Sequence, residues 1–237
     1  MTMQRHASRA LAALAPSLRW RVRRAIAVGR WIGLSASTRR RPSDVYGAAF
    51  WDARNDGDWE PLAALVLQIC AGRSIADVGC GDGKLLAAVR SLDPAVQTLG
   101  IDSSSAALEG ARRRGVLVEQ WNLWCWRRAD HARLSARLAG FDVVVSLETA
   151  EHLPPWSGSR FVRLLTQGQI VIFSAAHQGQ GGTLHMNERS FEYWRALFAA
   201  RGFQPSPLDA EFREAVRAMN LPWWYAANIH VFERAGS

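Results

Sequence analysis

Ser74-Ile75-Ala76-Asp77-Val78-Gly79-Cys80-Gly81-Asp82-Gly83 is the stretch whose reading decides the fold. A short apolar run ends in an acid, and three glycines follow at every second position. Glycine lets the backbone turn sharply and approach a ligand with no Cβ in the way. The spacing is D-x-G-x-G-x-G, not the G-x-G-x-x-G of the dinucleotide fingerprint. Helical spacing from Lys84 to Ser91 follows, so the loop joins a strand to a helix. Val96 to Ile101 reads as the next strand and closes on Asp102, 19 residues after Gly83. A carboxylate at that strand end is placed to take both ribose hydroxyls of a nucleoside.

Outward from this core the chain keeps alternating. Strands are expected at Val116–Trp121, Phe141–Leu147, Gly168–Ala175 and Asn228–Glu233. Helices are expected at Pro61–Ala71, Ser104–Arg114 and Phe191–Ala200, the last stopped by Gly202. Such alternation implies an α/β chain with a parallel sheet covered on both faces. With 237 residues, 49% of them apolar, the chain is one domain, or one domain plus an extension. No apolar run reaches the length of a membrane-spanning helix. Cys70, Cys80 and Cys125 lie far apart with no CxxC pair, which excludes a zinc ribbon and fits a reducing cytoplasm.

The formal charge of +8 is unevenly spread. Residues 1–43 carry ten Arg and no acid, while residues 44–237 hold 19 basic and 21 acidic groups. The basic excess therefore belongs to an N-terminal extension, 1–43, and the near-neutral domain, 44–237, is not expected to bind DNA. On a helical wheel Leu18, Val22, Ala25, Ile26, Gly29, Ile32 and Gly33 share one arc, and Arg19, Arg23, Arg24 and Arg30 fill much of the rest. This pattern suits either peripheral contact with an anionic membrane, at its inner face, or a poorly ordered extension. Arg39-Arg40-Arg41-Pro42 reads as a linker.

The Asp77 loop and Asp102 resemble those of the class I S-adenosylmethionine (SAM) methyltransferases. The resemblance covers residues 45–237. It implies a Rossmann-like, seven-stranded, mostly parallel sheet in the order 3-2-1-4-5-7-6, helices on both faces, and an antiparallel last strand. It also implies that Asp77 contacts the methionine part of SAM, that Gly79, Gly81 and Gly83 lie under the cofactor, and that Asp102, with Ser103 beside it, holds the ribose. Where the family has Asp-Leu reading the adenine amino group, this chain has Asn122-Leu123, and an amide oxygen can still accept. Trp121, Trp124 and Trp126 flank that position and can stack or simply pack.

The expected fourth strand runs into Glu148-Thr149-Ala150-Glu151-His152, at the sheet end that faces the ligand crevice. On one helical turn, Glu148, Glu151 and His152 would share a face, as an acid/base cluster or a metal site. The stretch resembles two metal-dependent subgroups, small-RNA 2′-O-methyltransferases and ubiquinone-pathway O-methyltransferases. By that resemblance His185 completes a site for a divalent cation, Mg2+ or Mn2+. Three readings stay open: a metal site, His152 acting as base or orienting group without metal, and His152 as a packing residue.

The following loop, Ala176-His177-Gln178-Gly179-Gln180-Gly181-Gly182-Thr183-Leu184-His185-Met186-Asn187-Glu188, is rich in glycine and neutral polar groups. It is similar to the loop of bacterial methyltransferases that accompany surface-polysaccharide synthesis, as is Trp223-Trp224-Tyr225-Ala226-Ala227-Asn228 near the end. His177, Gln180 and Asn187 are the expected substrate contacts, and Trp156 is a candidate for the acceptor pocket wall. The functions to be weighed are O-methylation of a carbohydrate-like hydroxyl, methylation of an RNA ribose or small aromatic hydroxyl, and a non-catalytic SAM-fold module. RNA is disfavoured because residues 141–190 hold few bases beyond Arg160, Arg163 and Arg189.

Overall fold

A computed structural model describes residues 15–36, 45–52, 57–70, 74–124 and 127–236. The Arg39–Pro42 linker, Cys125 and Trp126 lie outside the described residues.

The stretch at the centre of the sequence argument is the centre of the sheet. Strand β1 (Ser74–Val78) pairs in parallel with β2 (Gln97–Asp102) on one side and β4 (Val143–Ser146) on the other. Beyond β2 lies β3 (Val118–Gln120), and beyond β4 lies β5 (Ile170–Phe173), both parallel. Strand β7 (His230–Arg234) runs antiparallel between β5 and β6 (Phe203–Pro205). The sheet order is β3-β2-β1-β4-β5-β7-β6, as the resemblance implied.

The inner strands read as unbroken apolar runs because both faces are covered. Ala76, Val78, Leu99, Ile101 and Val144 point to one face, where helices α6 (Arg128–Leu138), α7 (Gly158–Leu165) and α8 (Phe191–Ala199) contribute Leu134, Phe161 and Phe198. Ile75, Val143, Val145 and Ile172 point to the other, against Val66 of α3 (Glu60–Ile69), Leu86 of α4 (Lys84–Leu92) and Phe212 of α9 (Asp209–Arg217). Phe198 stacks on Phe232 at 4.0 Å, so truncating it to Ala is a core deletion worth about 3–5 kcal/mol.

Several elements go beyond the residue-level reading. Strand β6 is three residues long, and α6 buries only Leu134 and Leu138; α7 and α9 are amphipathic but were not anticipated. The aromatic run after Pro222 forms a short helix, α10 (Trp223–Asn228). Helix α5 (Ser105–Arg113) is capped by the Ser104 hydroxyl, which accepts from the Ala107 N–H.

The N-terminal helix α1 (Pro16–Ala36) exists, and much of its apolar arc is exposed. Leu18, Ile26 and Ile32, on the apolar arc, are 46%, 55% and 53% exposed, while Ala27 is buried. The Arg24 Nε–H donates to the Met186 carbonyl, so α1 rests on the loop after β5 instead of standing apart from the domain. A second short helix, α2 (Ala48–Asp52), leads toward the sheet. No helix among the described residues is long and apolar enough to cross a membrane.

Candidate active site

The crevice opens at the carboxyl ends of β1 and β4, where the chain leaves the sheet in opposite directions. On the β1 side, Gly79, Gly81 and Gly83 all have positive φ, of 88°, 55° and 76°. A Cβ on Gly79 would stand 2.1 Å from Thr149 Oγ1, and one on Gly83 would stand 2.8 Å from Ala111 Cβ. The loop is locked to the second strand: Asp102 accepts from the Gly81 N–H at 3.0 Å and the Ser104 N–H at 2.8 Å. The glycine turn and the second strand-end acid therefore meet. Burial raises the Asp102 carboxyl, partly offset by these backbone donors. Asp77 is buried with no hydrogen bond to its carboxyl among the described residues; burial, then the charge of Asp102, push it up to about 8. A buried acid facing a crevice without a donor fits a ligand that brings its own ammonium group.

Residues 45–52, which carried no motif, close one wall of this crevice. Trp51 donates from Nε1 to the Tyr46 carbonyl at 2.8 Å, and its indole lies over Gly81, where a Cβ would be 2.6 Å away. The Ser104 hydroxyl holds the same Tyr46 carbonyl at 2.7 Å. Trp51 pinches the crevice into two lobes of about 70 Å3 each. Asp102, Ser103, Leu123 and Trp124 line one lobe; Asp77, Cys80, Lys84 and Tyr225 line the other; Gly79 and Glu148 border both. Asn122 lines neither lobe. It is exposed, and its amide oxygen accepts from the Trp124 N–H at 3.0 Å, closing a tight turn. Trp121 donates to Glu119, and Trp156 is 61% exposed instead of lining a pocket wall.

On the β4 side, Glu148 is not on a helical turn with Glu151 and His152. It takes a left-handed φ of 48°, and the helical turn covers only Ala150–His152. The kink swings its carboxylate toward Asn228 Nδ2, 3.1 Å away, and Gln180 Nε2, 3.5 Å away. Glu151 is fully buried, and neither of its oxygens has a hydrogen-bond partner of good geometry among the described residues. Burial, then the neighbouring Glu148, raise its carboxyl well above the usual range. The His152 Nε2 faces Glu151 at 3.9 Å, and its Nδ1 lies 2.9 Å from the Tyr46 hydroxyl. That hydroxyl donates to the Thr183 carbonyl at 3.1 Å, which assigns the proton between His152 and Tyr46 to His152 Nδ1.

His185 comes from the far loop to meet this cluster. Its Nδ1 lies 3.1 Å from Glu188, a pure acceptor, so the proton is on Nδ1 there too. Glu188 also accepts from the Gly179 and Gly181 N–H groups. Burial works against the Glu188 carboxylate, yet these hydrogen bonds, His185 first, hold it below the usual range. The His152 and His185 rings meet edge-on at 4.8 Å. One ligand atom each from Glu151, His152 and His185 falls within 4.8 Å of the others. Each imidazole is oriented through its second nitrogen, the arrangement that metal-ligating histidines use. An orphaned buried carboxylate beside two such imidazoles fits a divalent cation. Glu148 stands outside this trio, tied to Asn228 and Gln180.

The remaining loop residues divide differently from the expectation. Gln180 joins the site through Glu148. Asn187 is fully buried; it donates to the Ala150 carbonyl at 3.2 Å and accepts from Arg189 at 3.0 Å, a tie between loop and turn that leaves it no surface for substrate. His177 is half-buried; burial, then the charge of His230, lower its basicity. Tyr46, Glu188 and Asn228 were missed as site residues. Glu188 and Asn228 lay in the two stretches singled out for their resemblance, Glu188 also at i, i+3 from His185, whereas Tyr46 carried no signal.

Residues 75–168 match the family described as "Methyltransferase domain". A ubiquinone biosynthesis O-methyltransferase of Alkalilimnicola ehrlichii is 30% identical over 206 residues, covering 73% of this chain and 74% of that one. The chain belongs to the class I SAM-dependent methyltransferases. The sheet order is the one expected of the class, whose methyl donor is SAM. A second ubiquinone biosynthesis O-methyltransferase, of Albidiferax ferrireducens, is 31% identical over 153 residues, 60% of this chain. The chain matches only 56% of that relative's length. Among solved structures, the CcbJ methyltransferase of Streptomyces caelestis shares the fold with a TM-score of 0.55 at 13% identity, covering 80% of this chain and 96% of that one.

Proposed function

We propose that this methyltransferase transfers the SAM methyl to a hydroxyl oxygen of a small, carbohydrate-like acceptor, with deprotonation assisted at Glu151, His152 and His185. The observation that carries the reading is the convergence of one unsatisfied buried carboxylate and two oriented imidazoles beside the donor crevice. The O-methyltransferase names of the two relatives support oxygen as the nucleophile.

Bound SAM supplies an electrophilic methyl on a sulfonium. Asp102 is the acceptor for its ribose hydroxyls, and Asp77 the counter-charge for its ammonium group. The flanking Gly79 and Glu148 border both lobes, so the reacting centre belongs between them. A divalent cation held by Glu151, His152 Nε2 and His185 Nε2 would lower the pKa of an acceptor hydroxyl. Glu148, raised by burial and held by Asn228, is the remaining base within reach to take the acceptor proton. The acceptor oxygen bonds to the methyl carbon as the carbon–sulfur bond breaks, leaving a neutral thioether. Holding the two within about 3–3.5 Å and in line accounts for most of the acceleration.

The test is methyl transfer from labelled SAM to a panel of glycosides, before and after chelation, with Mn2+ or Mg2+ then restored. Activity lost on chelation and regained with metal is expected, together with loss of Mn2+ binding in Glu151→Gln. Full activity after exhaustive chelation would remove the cation. Transfer to amines alone would overturn the hydroxyl assignment.

A further inference from the structure

We propose that the cleft between α1 and the loop after β5 binds a phosphate or diphosphate group carried by the acceptor. The inference extends the acceptor site described above and rests on that reading.

The cleft has a volume of about 620 Å3, far larger than either donor lobe. That is the size of a small-molecule site, not of a nucleic-acid groove. Trp20, Arg23, Arg24, Ile26, Ala27 and Arg30 form its α1 wall. The three arginines fall on one side of the helix and share this wall, Arg24 half-buried and Arg23 and Arg30 exposed to the cleft. The opposite wall is the Gln180–His185 segment with Glu188. His185 thus belongs both to the cleft and to the Glu151–His152–His185 trio. An acceptor whose anionic end lies among the arginines has its other end at the reacting centre.

The charge balance of the cleft favours an anion. Arg23, Arg24 and Arg30 make no ion pair with any carboxylate among the described residues. The only acid in the lining, Glu188, is already engaged by His185 and two backbone N–H groups. Arg24 is half-buried over the Trp20 ring, with its Nε committed to the Met186 carbonyl. Burial, then the like charge of Arg189, work against its guanidinium. Like charges held together without an acid between them lower their mutual repulsion by sharing an anion, and guanidinium forks match phosphate geometry. The loop is shaped for the approach: Gly181, at φ 77°, lies where a Cβ would be 3.0 Å from the Arg23 guanidinium.

The basic face of α1 is the one turned to the loop: Arg23, Arg24 and Arg30 line the cleft, while Leu18 and Ile32 lie outside it and face solvent.

The experiment is calorimetric titration of the full chain with pyrophosphate, at low and at physiological salt. Binding that weakens with salt is expected. Arg23→Gln/Arg30→Gln should weaken it on the order of 100-fold, since each lost charge-assisted contact is about tenfold or more, while SAM affinity stays unchanged. SAM affinity serves as the check on folding, and pyrophosphate binding is read independently of methyl transfer, so failure of the O-methylation reading is distinguishable. Parallel arms use phosphatidylglycerol vesicles and a short single-stranded RNA. Vesicle binding that pyrophosphate displaces supports the site and places the phosphate on a lipid carrier. Absence of pyrophosphate binding, binding retained in the double variant, or binding of RNA or vesicles without pyrophosphate overturns the proposal.

Discussion

The two halves of the crevice are built by different means. The donor half is made from backbone: three left-handed glycines and two strand-end acids, all within residues 77–102, joined by the Gly81 N–H to Asp102. The acceptor half is made from side chains drawn from Tyr46, Glu148–His152, Gln180–Glu188 and Asn228, which meet only after the sheet has formed. A backbone-built site is intolerant of added atoms, whereas a side-chain network tolerates exchange but fails when one hydrogen-bonding member is lost.

The sharpest break in the comparison should come from Asp102→Ala. The substitution removes the acid assigned to the ribose and leaves the Gly81 and Ser104 N–H groups without their acceptor. Loss of two charge-assisted hydrogen bonds should weaken SAM binding on the order of 100-fold or more by calorimetry. A loss smaller than about tenfold would remove Asp102 from the donor site.

A somewhat smaller effect is expected where the halves touch. In Gly79→Ala the new Cβ meets Thr149 Oγ1 of the acceptor half, at a φ of 88° that alanine rarely adopts. Strain and clash together should cost about 2–3 kcal/mol in urea unfolding. Adding Thr149→Ala removes the Oγ1 and Cγ2 contacts but keeps the Cβ 2.8 Å away, so it should return part of the clash component and leave the φ strain. No recovery in the double variant would mean that the two halves are energetically independent.

This division also explains what was legible in the sequence. The Asp77–Gly83 turn and Asp102 could be read because local spacing alone sets a backbone shape. The sheet order followed from the resemblance those residues carry. Strand β6 and helix α6 could not be read, because three residues, or two buried leucines on a polar helix, give no period to detect. Glu148, Glu151 and His152 were singled out, but a helical turn was the wrong reason: Glu148 needs a left-handed kink, to which its side chain gives no clue. The turn that Asn122 closes was not legible, because an Asn amide can bond a nearby backbone N–H as readily as a ligand. The wheel of α1 distinguishes an apolar arc from a basic one. Which face turned inward depended on the loop it met.

The pH dependence of donor binding sharpens the electrostatic side of the contrast. With its folded value near 8 against 3.8, Asp77 favours the protonated form in the free protein. Its contribution to stability is therefore full below about 3.8 and is lost as pH rises toward 8. A SAM ammonium group pairs with the ionised form, so donor affinity should rise about tenfold per pH unit between roughly 6 and 8. Asp77→Asn should flatten the profile and weaken binding at pH 8. A wild-type profile flat across that window would show that the carboxyl is already ionised, or does not meet the donor.

The smallest effect belongs to Trp51, the residue that separates the two donor lobes. Each lobe, at about 70 Å3, is too small for a nucleoside sulfonium, whereas small-molecule sites run to about 300 Å3 or more. Joining them requires the indole to leave Gly81, so the closed arrangement acts as a competing state that lowers apparent affinity. Trp51→Ala removes that competition and also removes a wall that covers bound donor. Both association and dissociation rates of SAM should therefore rise, by about three- to tenfold, with a net change in affinity of only a few-fold. Surface plasmon resonance with immobilised protein separates the two rates. Slower association in the variant would mean that the indole is a surface on which the donor first docks, and that the crevice is gated elsewhere.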